Sequence, residues 1–254
     1  RQDSFAPTQS PPRGFRLSIE NQYLIYVGVT RIGMNNVFII IPAYNEEKNI
    51  GRVIRGLFEH GLEQAVVVDD CSSDKTGESA KQAGSTVLRH ELNRGQGAAL
   101  QTGHEYALAR GANIVVDFDA DGQFNPADII PALEAMEKNK AEIILGSRFL
   151  DNRSRIPWLK KNIILPVSRQ LNYLFTGIKL TDAHNGFRVL SRRALETINI
   201  TQDKMAHNTE IIRQIKKHNL GFIEFPVEVS YSEFGQGIGG GMKIVWELLL
   251  GRYK

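Results

Sequence analysis

The chain has 254 residues, 42% of them hydrophobic, with 31 basic and 28 acidic side chains for a formal charge of +3. This is the composition of a globular protein with one sizeable core, and its charges are mixed along the chain, which argues against a nucleic-acid partner. The single cysteine, Cys71, excludes an intramolecular disulfide and a cysteine-based metal cluster. No stretch nears the roughly 18 apolar residues of a membrane span, and no secretory leader pattern opens the chain, so a soluble, cytoplasmic protein is expected.

Residues 1–14, RQDSFAPTQSPPRG, read as a disordered tail, and residues 15–33 hold one apolar patch, LIYVGV. Residues 1–33 are thus an N-terminal extension, partly disordered, ahead of a single domain over 34–254. From there, short β-branched runs alternate with helical patterns. VFIII (37–41) leads to a helix from Glu46 to His60, with Ile50, Val53, Ile54 and Leu57 on one face and Gly61 as its stop. AVVVD (65–69) precedes a helix begun by Asp74, STVLR (85–89) a helix over Gly95 to Arg110, and NIVVDFD (113–119) a helix opened by Asn125 and Pro126. AEIILG (141–146) is a further strand. Continuous apolar strands separated by helices predict an α/β fold: a mostly parallel sheet with helices on both faces.

After about residue 150 the alternation ends. Residues 157–175 are helical in pattern, mixed basic and apolar. GFRVLS (186–191) and FIEFPVEV (222–229) are expected as strands around a helix, MAHNTEIIRQIKKH. The glycines of SEFGQGIGGG (232–241) suggest a mobile loop, and MKIVWELLLGRYK a short amphipathic helix.

Three polar clusters fall at predicted strand ends, where open α/β sheets gather their ligands. PAYNEE follows the first strand, DDCSSDKT closes the second, and DFDADGQ closes the fourth. Asp69 and Asp70 are each able to accept hydrogen bonds from a base or a ribose. In a strand, Asp119 and Asp121 share one face, with Gln123 adding a neutral oxygen, while Asp117 is read as facing away in a structural role. Carboxylates stacked this closely repel unless a cation sits among them, and a hard ion such as Mg2+ or Mn2+ takes one or two carboxylates plus the phosphates of its substrate.

PAYNEE, VVDDCSSDKT, NRGQGAAL, DFDADGQFNP, GSRF and DAHNGFRVLSR, in this order and spacing, resemble the inverting glycosyltransferases of family 2, and most closely the polyprenyl- or dolichyl-phosphate sugar synthase branch. The resemblance implies a GT-A fold, a Rossmann-like nucleotide-sugar-binding sheet, with a nucleotide-binding half over about 34–150 and an acceptor half over about 151–254. It implies that Pro42, Ala43, Tyr44, Glu46 and Asp70 hold the base and ribose of a UDP- or GDP-linked sugar. Asp119, Asp121 and Gln123 would hold Mg2+ or Mn2+ on the donor diphosphate, and Arg148 and Arg188 would contact phosphate. An anionic lipid phosphate needs no general base. For a glycan hydroxyl, Asp182 or Glu210 would take the proton, and His184 is either a diphosphate or metal contact or, as a lone loop histidine more often is, a hydrogen-bonding turn residue.

Members of that branch usually carry an arginine where this chain has Glu233 and Phe234, which keeps lipid-phosphate and glycan acceptors both open. In membrane-associated relatives the segment containing Lys160, Lys161 and Arg169 lies against the bilayer, implying peripheral association at the inner face of a membrane. The competing readings are a nucleotide-sugar-binding subunit without turnover, and a sugar nucleotidyltransferase. The second would need a glycine-rich, lysine-bearing loop after the first strand, and PAYNEE is not one.

Overall fold

The computed structural model describes residues 36–151, 153–154, 169–170, 173–174, 176–183, 185–203 and 206–230. Seven strands form one sheet: β1 (Val37–Ala43), β2 (Ala65–Asp69), β3 (Thr86–Arg89), β4 (Ile114–Asp117), β5 (Ile143–Ser147), β6 (Arg188–Ser191) and β7 (Phe222–Pro226). Their order is β3-β2-β1-β4-β6-β5-β7. All neighbours are parallel except β6, which runs antiparallel to both β4 and β5.

The helices are α1 (Ile50–Glu59), α2 (Thr76–Gln82), α3 (Gln96–Ala109), α4 (Ile129–Lys138), α5 (Arg192–Thr197) and α6 (His207–Lys217), with a 3-10 turn over Pro126–Asp128 leading into α4. None of those described is long and apolar enough to cross a membrane.

Strand alternation sorts the core into two layers. Ile39, Ile41, Val67, Val116 and Phe118 pack with α1 and α4 through Val53, Ile54, Leu57, Ile129 and Leu133. Phe38, Ile40, Val66, Val68 and Val115 pack with α3, α5 and α6 through Leu100, Ala107, Leu195, Ile211 and Ile215. The strands read as continuous apolar runs because both faces are covered.

Element ends differ from the sequence expectation for local reasons. The first helix begins at Ile50 rather than Glu46, because Asn45, Glu46 and Glu47 are drawn into contacts with the loop after β2 and the start of α2. Asp74 lies ahead of α2 and caps it, its Oδ1 accepting from Thr76 N at 3.0 Å. Asn125 does the same for the 3-10 turn through Ala127 N, at 3.0 Å. Helix α5 was not expected. Its signal is Ser191, whose Oγ accepts from Ala194 N at 3.3 Å as an N-cap.

The strand expected over 222–229 ends at Pro226, with Val229 bridging singly to Phe124. The helix expected over 157–175 falls mostly outside the described residues, of which 169–170, 173–174 and 176 are helical. The N-terminal extension, the 232–241 loop and the terminal amphipathic helix lie outside them altogether.

Candidate active site

From β1 the chain steps through β2 to β3 on one side, then crosses to β4 on the other, so the topological switch lies between β1 and β4. Ligands of open α/β sheets bind outside the carboxyl ends of the strands at such a point. The last β1–β4 pair is Ile40↔Asp117, whereas β1–β2 pairing continues to Ala43↔Asp69. The two strands therefore part above Ile40, and a crevice opens between PAYNEE and the loop after β4. Pro42 stands past the last pair with β4, where its missing N–H breaks no bond to that strand.

On the β1–β2 side the loops are stitched by hydrogen bonds. Asn45 N donates to Ser72 Oγ (3.0 Å), Glu46 N to Thr76 Oγ1 (2.7 Å) and Glu47 N to Asp74 Oδ2 (3.2 Å). In return, Ser73 N and Lys75 N donate to Asn45 Oδ1 and Glu47 Oε2, each at 2.9 Å. This lacing leaves the Tyr44 ring 51% exposed at the rim. Glu46 accepts from Asn49 Nδ2 at 2.8 Å.

Asp70 is placed differently from the expectation that it meets the nucleotide. It is buried, and its Oδ1 accepts from His90 Nδ1 (2.7 Å) and Arg94 N (2.9 Å), its Oδ2 from Gly95 N (2.6 Å). Those bonds fold the turn into α3, so Asp70 is an organiser of that turn rather than an open acceptor. Its neighbour Asp69 is equally occupied, by Ser72 N (2.9 Å) and Arg89 Nη1 (2.5 Å).

The acids after β4 also need a correction. The strand ends at Asp117, so Asp119 and Asp121 lie in a turn rather than on one strand face. The turn forms because Asp121 Oδ1 accepts from Gln123 N at 2.9 Å and Gly122 adopts φ of +73°, a conformation that favours glycine. Nor does Asp117 face away from Asp119. Both are bonded by α3, Asp117 by His104 Nε2 (2.6 Å) and Asp119 by Gln96 Nε2 (3.0 Å), since residues two apart share a side. Beneath the turn Phe118, Phe124 and Phe187 pack with ring centroids 5.6 to 6.4 Å apart, an apolar floor that keeps water from one side of the acids.

The electrostatics there are unfavourable without a cation. Asp119 lies deep but keeps part of its surface open to the crevice. Burial first, then the Asp121 charge, push its carboxyl up to about 7, against the opposing pull of Arg188. Burial also raises Asp121. Neither is ion-paired among the described residues. Two hard carboxylates that resist ionisation together suit a divalent cation, and among the described residues no third His, Cys, Asp or Glu joins them. A two-carboxylate donor set fits an ion that shares its remaining ligands with substrate phosphates.

Across the crevice the charges are already matched. Arg148 Nε and Nη2 grip Asp182 Oδ2 and Oδ1 at 2.6 and 2.7 Å, and Arg148 N adds a third bond at 3.2 Å. Burial works to raise the Asp182 carboxyl, but the hydrogen bonds and charge of Arg148 outweigh it and hold the group below the usual carboxylate range. That makes Asp182 a poor base and commits Arg148 to it, contrary to the expectation that one takes a proton and the other meets phosphate directly. Glu224 on β7 supports the pair from behind, its Oε1 accepting from Thr181 N (2.8 Å), Thr181 Oγ1 (2.7 Å) and Asp182 N (3.3 Å).

Arg188 is likewise turned into the protein interior. It is buried, donates to Asn185 O (3.1 Å) and to Asn208 Oδ1 on α6, and stands 3.8 Å from Asp117 Oδ2. The Glu210 carboxylate accepts from Thr201 N (3.0 Å), Thr201 Oγ1 (2.5 Å) and Gln202 N (2.9 Å). It holds a loop and is not presented to the crevice as a base. His184 lies outside the described residues.

Sequence reasoning passed over Gln96, His90, His104, Asn208 and Glu224. Gln96 had one signal: it is the first helical residue after the turn of Asn93, Arg94 and Gly95, on a helix predicted to begin beside the site.

The comparisons with known proteins agree with this geometry. The model of glycosyl transferase family 2 matches residues 38–198. Over 239 residues the chain is 32% identical to UDP-N-acetylglucosamine--dolichyl-phosphate N-acetylglucosaminyltransferase of Methanococcus voltae, covering 84% of this chain and 95% of that protein. It is 28% identical to polyprenol monophosphomannose synthase of Mycolicibacterium smegmatis, covering 79% of this chain and 78% of the relative. Among solved structures, glucosyl-3-phosphoglycerate synthase from Mycobacterium tuberculosis, in complex with Mn2+, UDP and glucosyl-3-phosphoglycerate, superposes with a TM-score of 0.62 at 18% identity, covering 85% of this chain and 79% of that one. That likeness bears on the fold, which is the expected GT-A sheet.

Proposed function

The chain belongs to glycosyl transferase family 2, and from that premise we propose that it moves a hexose from a UDP- or GDP-linked donor to a polyprenyl or dolichyl phosphate, with inversion at the anomeric carbon and Mg2+ or Mn2+ as cofactor. The observation that carries this reading is the division of the acids. Asp119 and Asp121 face the crevice with their charge unmatched, while Asp182 and Glu210, the two candidates for taking a proton, are each bound to other groups. A lipid phosphate arrives as an anion and has no proton to lose on attack, so a site in which these two candidate bases are already bonded suits it. The names of the M. voltae and M. smegmatis relatives support the same acceptor class.

In this reading the exposed Tyr44 ring stacks on the base, with Pro42 and Ala43 beside it and Glu46 directed to the ribose. Asp119, Asp121 and Gln123 supply the oxygen ligands. The cation, when bound, stabilises the charge growing on the departing nucleoside diphosphate. Asp119 and Asp121 would hold that cation and so fix one end of the donor, and the three phenylalanines below exclude water from the reacting face. Arg148, held by Asp182, fixes the opposite wall of the crevice as a rigid, charge-matched pair. A lipid carrier brings the protein to a membrane surface as a peripheral enzyme.

The test is transfer by purified protein from UDP- and GDP-sugars, with Mn2+ or Mg2+, to a short polyprenyl phosphate and, separately, to glycan hydroxyls. A metal-dependent lipid-linked product of inverted configuration is expected, lost in Asp121→Ala and kept within about tenfold in Glu210→Gln. Transfer to hydroxyls alone, or its abolition by Glu210→Gln, would overturn the acceptor assignment.

A further inference from the structure

Asp119 is held from two sides by groups that carry no charge. From α3, Gln96 Nε2 donates to its Oδ1 at 3.0 Å. From the loop before β6, Gly186 comes so close that a side-chain carbon there would lie 2.5 Å from Asp119 Oδ2. The start of α3 is itself seated against a third element. Gly97 N donates to Asp203 O at 3.0 Å, and a side chain at Gly97 would strike Gln202 O at 2.0 Å. The Glu210 carboxylate of α6 grips Thr201 and Gln202, the residues just before that contact. An unbroken series of bonds and contacts runs from Glu210 through the 201–203 loop and the first turn of α3 to Gln96, and from Gln96 to Asp119.

We propose that Gln96 is a positioning residue that orients Asp119 for a divalent cation, and that Glu210 acts through it as a brace. This rests on the metal-dependent reading above and deepens it. The physical argument is that a carboxylate flanked by Asp117 and Asp121 is pushed to rotate away from them or to stay protonated. A cationic partner would fix its orientation but also neutralise it, leaving less charge for the metal. A primary amide fixes the orientation through one hydrogen bond and leaves the negative charge in place. It occupies one of the roughly four lone-pair positions of the carboxylate, so the others remain for the ion. Groups that orient a metal ligand in this way commonly govern affinity by about 10- to 100-fold. The same series gives Glu210 a purpose that fits its bonded state.

The test is direct Mn2+ binding in the presence of UDP, followed by the electron paramagnetic resonance of free Mn2+, on wild type, Gln96→Met and Glu210→Ala. Methionine keeps the length of glutamine and removes the donor. The expected result is Mn2+ affinity lowered about 10- to 100-fold in Gln96→Met and by a smaller factor in Glu210→Ala, with circular dichroism and melting temperature of Gln96→Met unchanged. Gln96→Ala, which adds no bulk, replaces the methionine variant if that one folds poorly. Wild-type Mn2+ affinity in a folded Gln96 variant would overturn the positioning role and leave the metal reading intact. Failure of the wild-type protein itself to bind Mn2+ with UDP, and again with GDP in its place, would remove the metal reading and the positioning role together.

Discussion

The two walls of the crevice are built on opposite electrostatic plans. On the wall formed by β1, β2 and the turn after β4, Asp69 and Asp70 are spent on Arg89 and His90, but the acids facing the gap, Asp119 and Asp121, have no ion-pair partner among the described residues. On the wall formed by β5, β6 and β7, the buried Asp182 is already matched by Arg148, and at the end of β4 between the walls Asp117 is held by His104 with Arg188 nearby. Unmatched charge costs stability and persists where a ligand is to supply the match. Matched charge is architecture. The contrast separates carboxylates that bind from carboxylates that brace, although all of them stand in acid-rich motifs of similar appearance.

The sharpest way to break this comparison is to remove an unmatched acid and, separately, the cation beside a matched one. Asp121→Asn is expected to lower transfer by at least about 10²-fold while leaving the melting temperature of the metal-free protein unchanged or higher, because it relieves the repulsion on Asp119. Steady-state kinetics paired with a thermal melt checks both halves, and a loss of stability would contradict the plan for that wall. Arg188→Met should do the reverse. Leaving Asp117 buried without its nearby cation is expected to cost about 3–5 kcal/mol, read as a shift in urea midpoint at unchanged slope.

A smaller effect is expected at the rim. Tyr44→Ala removes an exposed ring worth about 1–3 kcal/mol if it stacks on a base, so the donor KM should rise about tenfold or more while the urea midpoint stays in place. Unchanged donor KM would take the base away from Tyr44.

The finest probe is pH. The Asp182 carboxyl is held below its ordinary value by Arg148 against the opposing effect of burial, so its contribution to stability is fully present above about pH 4, the ordinary aspartate range. It is lost as the pH falls further, through the depressed folded value. Acid unfolding of wild type should therefore steepen below that point, and Asp182→Asn should flatten the profile there.

Much of this was legible from local pattern. The apolar runs that became β1, β2, β4 and β5 were visible because both faces of the sheet are covered there, and the helices α1 and α6 because their apolar residues recur at helical spacing, whereas α3 was marked by its glycine- and alanine-rich start. Helix α5 was missed because six residues are too few for a periodicity to show, although Ser191 was a fair cap signal. In the site, the acidic clusters were legible, and Asp119 with Asp121 stood out as a candidate oxygen-ligand pair; the structure gives neither an ion-pair partner among the described residues. What the motifs do not carry is which way each side chain turns. Asp70, Arg148, Asp182, Arg188 and Glu210 all turn toward other parts of the chain.

By itself, then, the amino-acid sequence determined the alternation of strands and helices, the sheet type and the family, since these follow from hydrophobic periodicity and from short motifs read along the chain. Tertiary structure alone decided which charges are spent on one another. Arg148 meets Asp182 across 34 residues and Arg188 meets Asn208 across 20. Whether a carboxylate is left for a cation depends on which cations the fold brings within a few ångströms of it. Coulombic interaction depends on distance in space, and the sheet order that sets those distances is not written in the spacing of any one motif.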